Sequence, residues 1–237
     1  MESVIQHAQT LFGLELSSDQ LALFQRYADE LTAWNTHTNL TAIIEPEAVA
    51  IRHFLDSLSL YPLLKTDIPQ RVMDVGTGAG FPGIVLAMLF PQLQVTLLEA
   101  TGKKIKFLEH VVGLFGLKNA TTLHARAEDA GQMSGHRAHY DVVVARAVAR
   151  LPALLEYMLP LAKVGGVCIA MKGVSAQAEL DDSKIALKTL GGRFDKIETV
   201  MLPMVDEAHH MVIIEKIAKT PSDYPRKPGI PAKKPLI

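Results

Sequence analysis

Ten residues, Asp74-Val75-Gly76-Thr77-Gly78-Ala79-Gly80-Phe81-Pro82-Gly83, constrain this chain more than any other segment. They follow a short β-prone run, Arg71–Val75, and precede an apolar helical run. Glycines at alternate positions let the backbone turn sharply and let another group lie against it. A helix starting near Pro82 offers free N–H groups to an anion. Strand, glycine turn and helix open a doubly wound α/β sheet, whose ligands lie beyond the carboxyl ends of the strands.

The rest of the chain agrees with that class. Strands are predicted at Arg71–Val75, Gln94–Glu99, Ala120–His124, Asp141–Ala145 and Gly166–Lys172, separated by helical runs. Two more, near Phe194–Met201 and Met211–Lys216, follow a helical stretch from Ala176 to Leu190. Val142-Val143-Val144 and Val167-Cys168-Ile169-Ala170 are continuously apolar, as strands buried on both faces of a parallel sheet require. Only Leu202–His210 separates the last two strands, so they predict a hairpin. The expected fold is α/β, a mostly parallel seven-stranded sheet with one antiparallel strand.

Residues 1–65 read as a helical N-terminal extension. Ser17 and Gln20 form a capping box before a stripe of Leu21, Phe24, Ala28, Leu31 and Trp34. Asn35 to Thr41 is polar and predicts a loop. Pro46 suits the first turn of another helix, carrying Val49, His53, Leu55 and Leu58. Pro62 and Pro69 bracket a connector. The main domain is then residues 66–217, followed by a basic, proline-rich tail at 218–237.

A chain of 237 residues fits one such domain with appendages. Its 49% hydrophobic and 21% charged residues exclude wholesale disorder. A single cysteine, Cys168, excludes an internal disulfide framework. No apolar run approaches the roughly 18 residues of a membrane span. The N-terminus does not read as a signal peptide, so the expected location is the cytoplasm. The net charge of -1 is uneven. From Lys216 onward Lys216, Lys219, Arg226, Lys227, Lys233 and Lys234 face only Asp223, which suggests a polyanionic partner.

Two cofactors fit the glycine loop. Gly78-x-Gly80-x-x-Gly83 matches the dinucleotide fingerprint of NAD(P)-dependent oxidoreductases. Gly76-x-Gly78-x-Gly80 with Asp74 inside the strand is the loop of S-adenosylmethionine methyltransferases, and it begins directly after the strand. Glu99 ends the second strand, 25 residues beyond Asp74, where a carboxylate accepts ribose hydroxyls of either cofactor. Glu128, after the third strand, stands where a methyltransferase holds adenine.

The glycine loop also resembles that of the bacterial small-subunit (16S) rRNA guanine-N7 methyltransferase family, the glucose-inhibited division protein B family. So do Asn39-Leu40-Thr41-Ala42-Ile43, His53-Phe54-Leu55-Asp56-Ser57-Leu58 and Tyr224-Pro225-Arg226-Lys227-Pro228-Gly229-Ile230-Pro231. These segments span nearly the whole chain in order. The resemblance implies a Rossmann-like methyltransferase with S-adenosylmethionine as cofactor. It implies a cofactor pocket using Gly76, Phe81, Ala127, Glu128 and Arg146. With Asp74, Gly78, Gly80 and Glu99 these complete the expected cofactor site. The implied partner is 16S rRNA or a small-subunit particle, with no membrane and no metal, and the chain is expected to act as a monomer. Glu99 replaces the Asp of many relatives, Ala145 replaces a hydroxyl residue, and His37 stands where Lys is frequent. The remaining readings are a methyltransferase of another RNA or small molecule, and a non-catalytic ribosome-assembly factor.

The chemistry is consistent with this resemblance. Guanine N7 has a free lone pair and no proton to lose, so alignment of donor and acceptor is the main task. No side chain is assigned as a catalytic acid or base. Arg146 is the candidate for positioning the acceptor, through a phosphate or guanine O6; its alternative is an ion pair with a nearby carboxylate. The fourth strand leads into Ala145-Arg146-Ala147-Val148, without the Asn/Asp-Pro-Pro-aromatic motif of amino-group methyltransferases. Cys168 reads as core packing, not as the nucleophile that carbon-5 methylation needs. His53 and Asp56 read as structural support or an RNA contact. His136 and His139 have no companion ligands, so no metal is expected. Lys103, Lys104 and Lys106 at a helix start, Lys172 at a strand end, and Arg226, Lys227, Lys233 and Lys234 in the tail are the candidate RNA contacts. Pro228 and Pro231 predict a semi-extended tail.

Overall fold

The computed structural model describes residues 1–65 and 70–237, so Pro69 and the 65/66 boundary lie outside the described residues. Seven strands form one sheet: β1 (Arg71–Val75), β2 (Gln94–Glu99), β3 (Ala120–His124), β4 (Tyr140–Arg146), β5 (Ala162–Lys172), β6 (Gly192–Val200) and β7 (His209–Lys216). Their order is β3-β2-β1-β4-β5-β7-β6. The first five pair in parallel, and β7 lies antiparallel between β5 and β6. Strand β1, which feeds the glycine loop, is therefore internal. The C-terminal ends of β2, β1 and β4 converge beside that loop.

The first three strands have the predicted bounds. Strand β5 starts four residues earlier than Gly166, because Ala162 pairs with Tyr140 across an irregularity that the Gly165-Gly166 pair conceals in sequence. The helical stretch after β5 divides into α10 (Ala176–Asp181) and α11 (Lys184–Leu190). Ser183 marks the break, its hydroxyl donating back to the Glu179 carbonyl at 2.7 Å.

The N-terminal helices α1 (Glu2–Phe12) and α2 (Ser18–Thr38) precede a bent helical segment. Ser17 and Gln20 make the predicted reciprocal cap of α2. That helix runs past Asn35 to Thr38, where a loop was expected. Asn35 instead ties the following turn to the helix: its Oδ1 accepts from the N–H groups of Leu40 (2.7 Å) and Thr41 (3.0 Å), and its Nδ2 donates to the Thr41 carbonyl (2.9 Å). The bent segment comprises α3 (Pro46–Val49), a π-helical turn (Ala50–Leu55) and α4 (Asp56–Leu58); α5 (Tyr61–Leu64) follows.

The two faces of the sheet are covered differently. One apolar cluster joins Phe24, Tyr27, Leu31, Phe54 and Leu58 of the N-terminal helices to residues of α6 (Gly83–Leu89) and α7 (Gly102–Leu114). The N-terminal extension thus shares a core with the sheet. The second cluster unites the opposite face with α8 (Ala127–Ala130), α9 (Leu151–Met158), α10 and α11. Tyr224 and Leu236 of the tail pack on this second cluster, so the tail and the N-terminal helices lie on opposite faces. Where a semi-extended track is expected, the tail forms a short helix, α12 (Ile230–Lys233), after the Gly229 turn. Buried Cys168 belongs to the second cluster, and burial pushes its thiol up to about 12.

Candidate active site

The glycine loop is held from behind and left open in front. Asp74, fully buried in β1, accepts through Oδ2 from the Thr77 hydroxyl (2.5 Å) and the Gly83 N–H (2.8 Å). It buttresses the loop, and it takes the first N–H of α6 that the sequence reading offered to an anion. Its Oδ1 is buried with no partner among the described residues. Burial pushes its carboxyl up to about 6 against those bonds and the Arg146 charge. A folded pKa above the unfolded value favours folding fully below about 4, and that contribution is lost as pH rises through 6. Asp74→Asn should therefore be more stable than the parent at pH 8, by on the order of 1–3 kcal/mol. The difference should vanish toward pH 4; thermal melts across this range that run parallel would refute the assignment.

The front of the loop faces a cleft of about 480 Å³. A Cβ on Gly78 would enter open space, with only the Gly76 carbonyl at 3.9 Å. Glu99, at the end of β2, accepts the Gly78 N–H on Oε2 (3.1 Å) and the Thr101 N–H on Oε1 (2.8 Å). Its carboxylate is thereby fixed beside the loop, 7% exposed. Ala127 and Glu128 open α8 just beyond β3, whose terminal His124 is in register with Glu99. The N-terminal extension reaches the loop through Tyr27. Its hydroxyl donates to the Ala79 carbonyl, and its ring stacks on Phe81 at 5.0 Å. Gly80 lies directly beneath that hydroxyl. Burial pushes the Tyr27 phenol well above its ordinary range, so it stays a donor.

Across the cleft Arg146 ends β4. Its Nη1 donates to Asp56 Oδ2 (2.7 Å) and to the Arg52 carbonyl (3.0 Å), and its guanidinium lies 5.6 Å from the centre of the Phe81 ring. Asp56 Oδ1 meets His209 Nδ1 at 2.8 Å. One carboxylate thus joins α4, β4 and the start of β7, three elements distant in sequence. Burial pushes the Asp56 carboxyl up, but the bonds from His209 and Arg146 outweigh it and hold it below the ordinary range. His53 stacks on Phe81 at 4.8 Å, and its Nε2 meets Thr41 Oγ1 at 2.9 Å. Burial and then the Arg146 charge lower His53 to about 4, so it is neutral near pH 7. The ion-pair alternative for Arg146 is the arrangement present; Asp56, expected as structural support or an RNA contact, is its partner, and His209 is a site residue that the sequence does not single out. Sequence order carries no signal for that pairing, and His209 falls within the predicted loop Leu202–His210, whereas β7 begins at His209 itself.

The other candidates divide. Lys104 lines the cleft, while Lys103 and Lys106 are exposed on the same turn of α7. Lys172 is enclosed: its Nζ pairs with Glu179 Oε2 (2.7 Å) and donates to the Ala149 carbonyl (2.7 Å), so it is committed to the fold rather than offered to phosphate. Arg226 is committed as well, to Glu156 on α9, whereas Lys227, Lys233 and Lys234 are exposed. His136 meets the Tyr140 hydroxyl at 2.6 Å. Among the described residues there is no group of three or more side chains suited to hold a metal.

A family model described as rRNA small subunit methyltransferase G matches residues 20–212. The protein named "Ribosomal RNA small subunit methyltransferase G" from Acetivibrio thermocellus is 48% identical over 225 residues, covering 95% of this chain and 92% of its own. The protein of the same name from Roseiflexus castenholzii is 47% identical over 228 residues, covering 96% and 97%. In fold, the chain resembles M. jannaschii TYW2 in complex with AdoMet, with a TM-score of 0.52 at 16% identity, over 68% of this chain and 77% of that one.

Proposed function

This chain belongs to the rRNA small subunit methyltransferase G family, and from that premise we propose that it methylates N7 of a guanine in 16S rRNA. The family makes it an S-adenosylmethionine-dependent methyltransferase of small-subunit rRNA, not a nicotinamide oxidoreductase. When bound, S-adenosylmethionine supplies a methyl group on a positively charged sulfur. In our reading the backbone of Gly76, Gly78 and Gly80 borders it, Glu99 accepts from its ribose, and Ala127 and Glu128 border its adenine. Asp74 and Tyr27 hold the loop in place.

The observation that carries the N7 reading is the state of the acid–base groups around the cleft. Asp56 is saturated by Arg146 and His209, His53 is neutral and bonded to Thr41, and Glu179 is paired with Lys172. A site whose carboxylates and imidazoles are engaged in holding one another suits an acceptor that gives up no proton. Rate then comes from alignment, and the locked guanidinium of Arg146 is a fixed donor for the acceptor base or its phosphate. We place this activity in the cytoplasm, carried out by a monomer without metal. Transfer of a tritiated methyl group to deproteinised 16S rRNA and to small subunits, followed by nucleotide mapping, tests it. Label recovered as 7-methylguanine supports the assignment, and label on any other base or atom refutes it.

Exposed Lys103, Lys106, Lys227, Lys233 and Lys234 are the RNA contacts we propose, with Lys104 at the cleft. Lys233→Ala with Lys234→Ala should weaken RNA binding and flatten the slope of log affinity against log salt by about 1–2 units. S-adenosylmethionine affinity should not change. An RNA affinity equal to the parent's at every salt concentration would remove the tail from the interface.

A further inference from the structure

The tail is fastened more firmly than a basic extension that only collects phosphates would need to be. Arg137 donates to the carbonyls of Thr220, Pro221 and Tyr224 at 2.7–2.9 Å. Gln132 donates to those of Ser222 and Pro225. Arg226 grips Glu156 through its backbone N–H (2.7 Å), Nε (2.9 Å) and Nη2 (2.6 Å), and Glu156 has no solvent exposure. The chain then turns: the Ile230 N–H reaches the Lys227 carbonyl at 3.0 Å, with Gly229 at a φ of 83° that favours glycine. This turn aims the Gly229 N–H at Glu128 Oε1, 2.8 Å away.

Glu128 is 6% exposed, and among the described residues Gly229 is the only donor to its carboxylate. One oxygen is thus occupied by the tail, while the other has no partner among the described residues. Given the reading of Ala127 and Glu128 as the adenine side of the cofactor pocket, on which this inference rests, we infer that the C-terminal tail is part of the donor site. The Gly229 N–H orients the Glu128 carboxylate so that its second oxygen is presented to the exocyclic amino group of adenine. Gly229 is a positioning residue in this scheme, acting through Glu128. Tail docking and cofactor binding must then favour each other by the same factor.

The test compares four proteins: the full chain, a chain ending at Lys227, Glu128→Gln, and the two changes combined. Ending at Lys227 removes the Gly229 N–H and retains the Arg226–Glu156 grip. Calorimetry with S-adenosylhomocysteine reads the affinity. Glu128→Gln and the truncation should each weaken binding, by about fivefold or more. In the Glu128→Gln background the truncation should cost less than about twofold, because the group it orients is already altered. An unchanged affinity in Glu128→Gln overturns the adenine reading itself, and the inference with it. Weakening by Glu128→Gln but not by truncation overturns only the inference. So does an equal loss on truncation in both backgrounds, which would mark the tail as a general brace. If the shortened chain does not fold, amide hydrogen exchange on the intact protein decides. S-adenosylhomocysteine should slow exchange at the Gly229 and Ile230 amides, and an unaltered rate there overturns the inference.

Discussion

The Gly78→Val protein is expected to fold and to lose binding of S-adenosylmethionine. Gly78 has a φ of 62°, where a β-branched residue is strained, yet among the described residues its Cβ direction meets nothing closer than the Gly76 carbonyl at 3.9 Å. The valine side chain would project into the cleft and occupy space left for the donor. The same substitution at Gly83 has the opposite character. There a Cβ would stand 2.4 Å from Leu97 Cδ2 and 2.8 Å from Asp74 Oδ2, inside the packed joint between β1, β2 and α6. Gly83→Val should therefore lower the melting temperature sharply, because overpacking a core joint costs about 1–3 kcal/mol or more. Calorimetry and thermal melts on the two proteins separate a binding glycine from a packing glycine. A folded Gly78→Val protein with parental affinity would mean that the donor does not lie against this loop.

The contrast between these glycines marks where sequence is informative. A strand, an α-helix and a capped helix start are local patterns, repeating over two to four residues, and each stands in the chain beside the residues that form it. That is why Arg71–Val75, Gln94–Glu99, Ala120–His124 and the Ser17–Gln20 cap coincide with the structure. The π-helical turn at Ala50–Leu55 leaves no comparable periodic trace, since one widened turn shifts the apolar spacing by a single residue. The site is harder still to read. Asp56, Arg146 and His209 come from positions 90 and 63 residues apart, and their pairing follows from sheet order, which places β7 beside β5. Tyr27 is not among the stripe residues that the sequence predicts for α2; that its hydroxyl touches the glycine loop depends on the angle at which α2 crosses the sheet.

The tail shows the same limit, and Arg226 makes it measurable. A run of basic residues reads as a phosphate track, but the structure sets its most deeply placed cation against Glu156, a carboxylate without solvent exposure on α9. Removing one partner of a buried pair leaves the other charged and desolvated, at a cost of about 3–5 kcal/mol. Arg226→Ala should thus lower the melting temperature by roughly 6–20 °C for a chain of this length. A second change should recover much of that loss. In Glu156→Gln with Arg226→Met the stranded charge is gone, while the amide oxygen still accepts the Arg226-position N–H and the thioether fills the space of the lost side chain. The salt dependence of RNA binding, compared at a temperature where both proteins remain folded, should match the parent's, because a guanidinium committed to Glu156 releases no counterions from RNA. The phosphate-track reading expects the reverse, a flatter salt slope with an unaltered melt. That pattern would show that Arg226 leaves Glu156 for the nucleic acid, and that the buried carboxylate is accommodated without it.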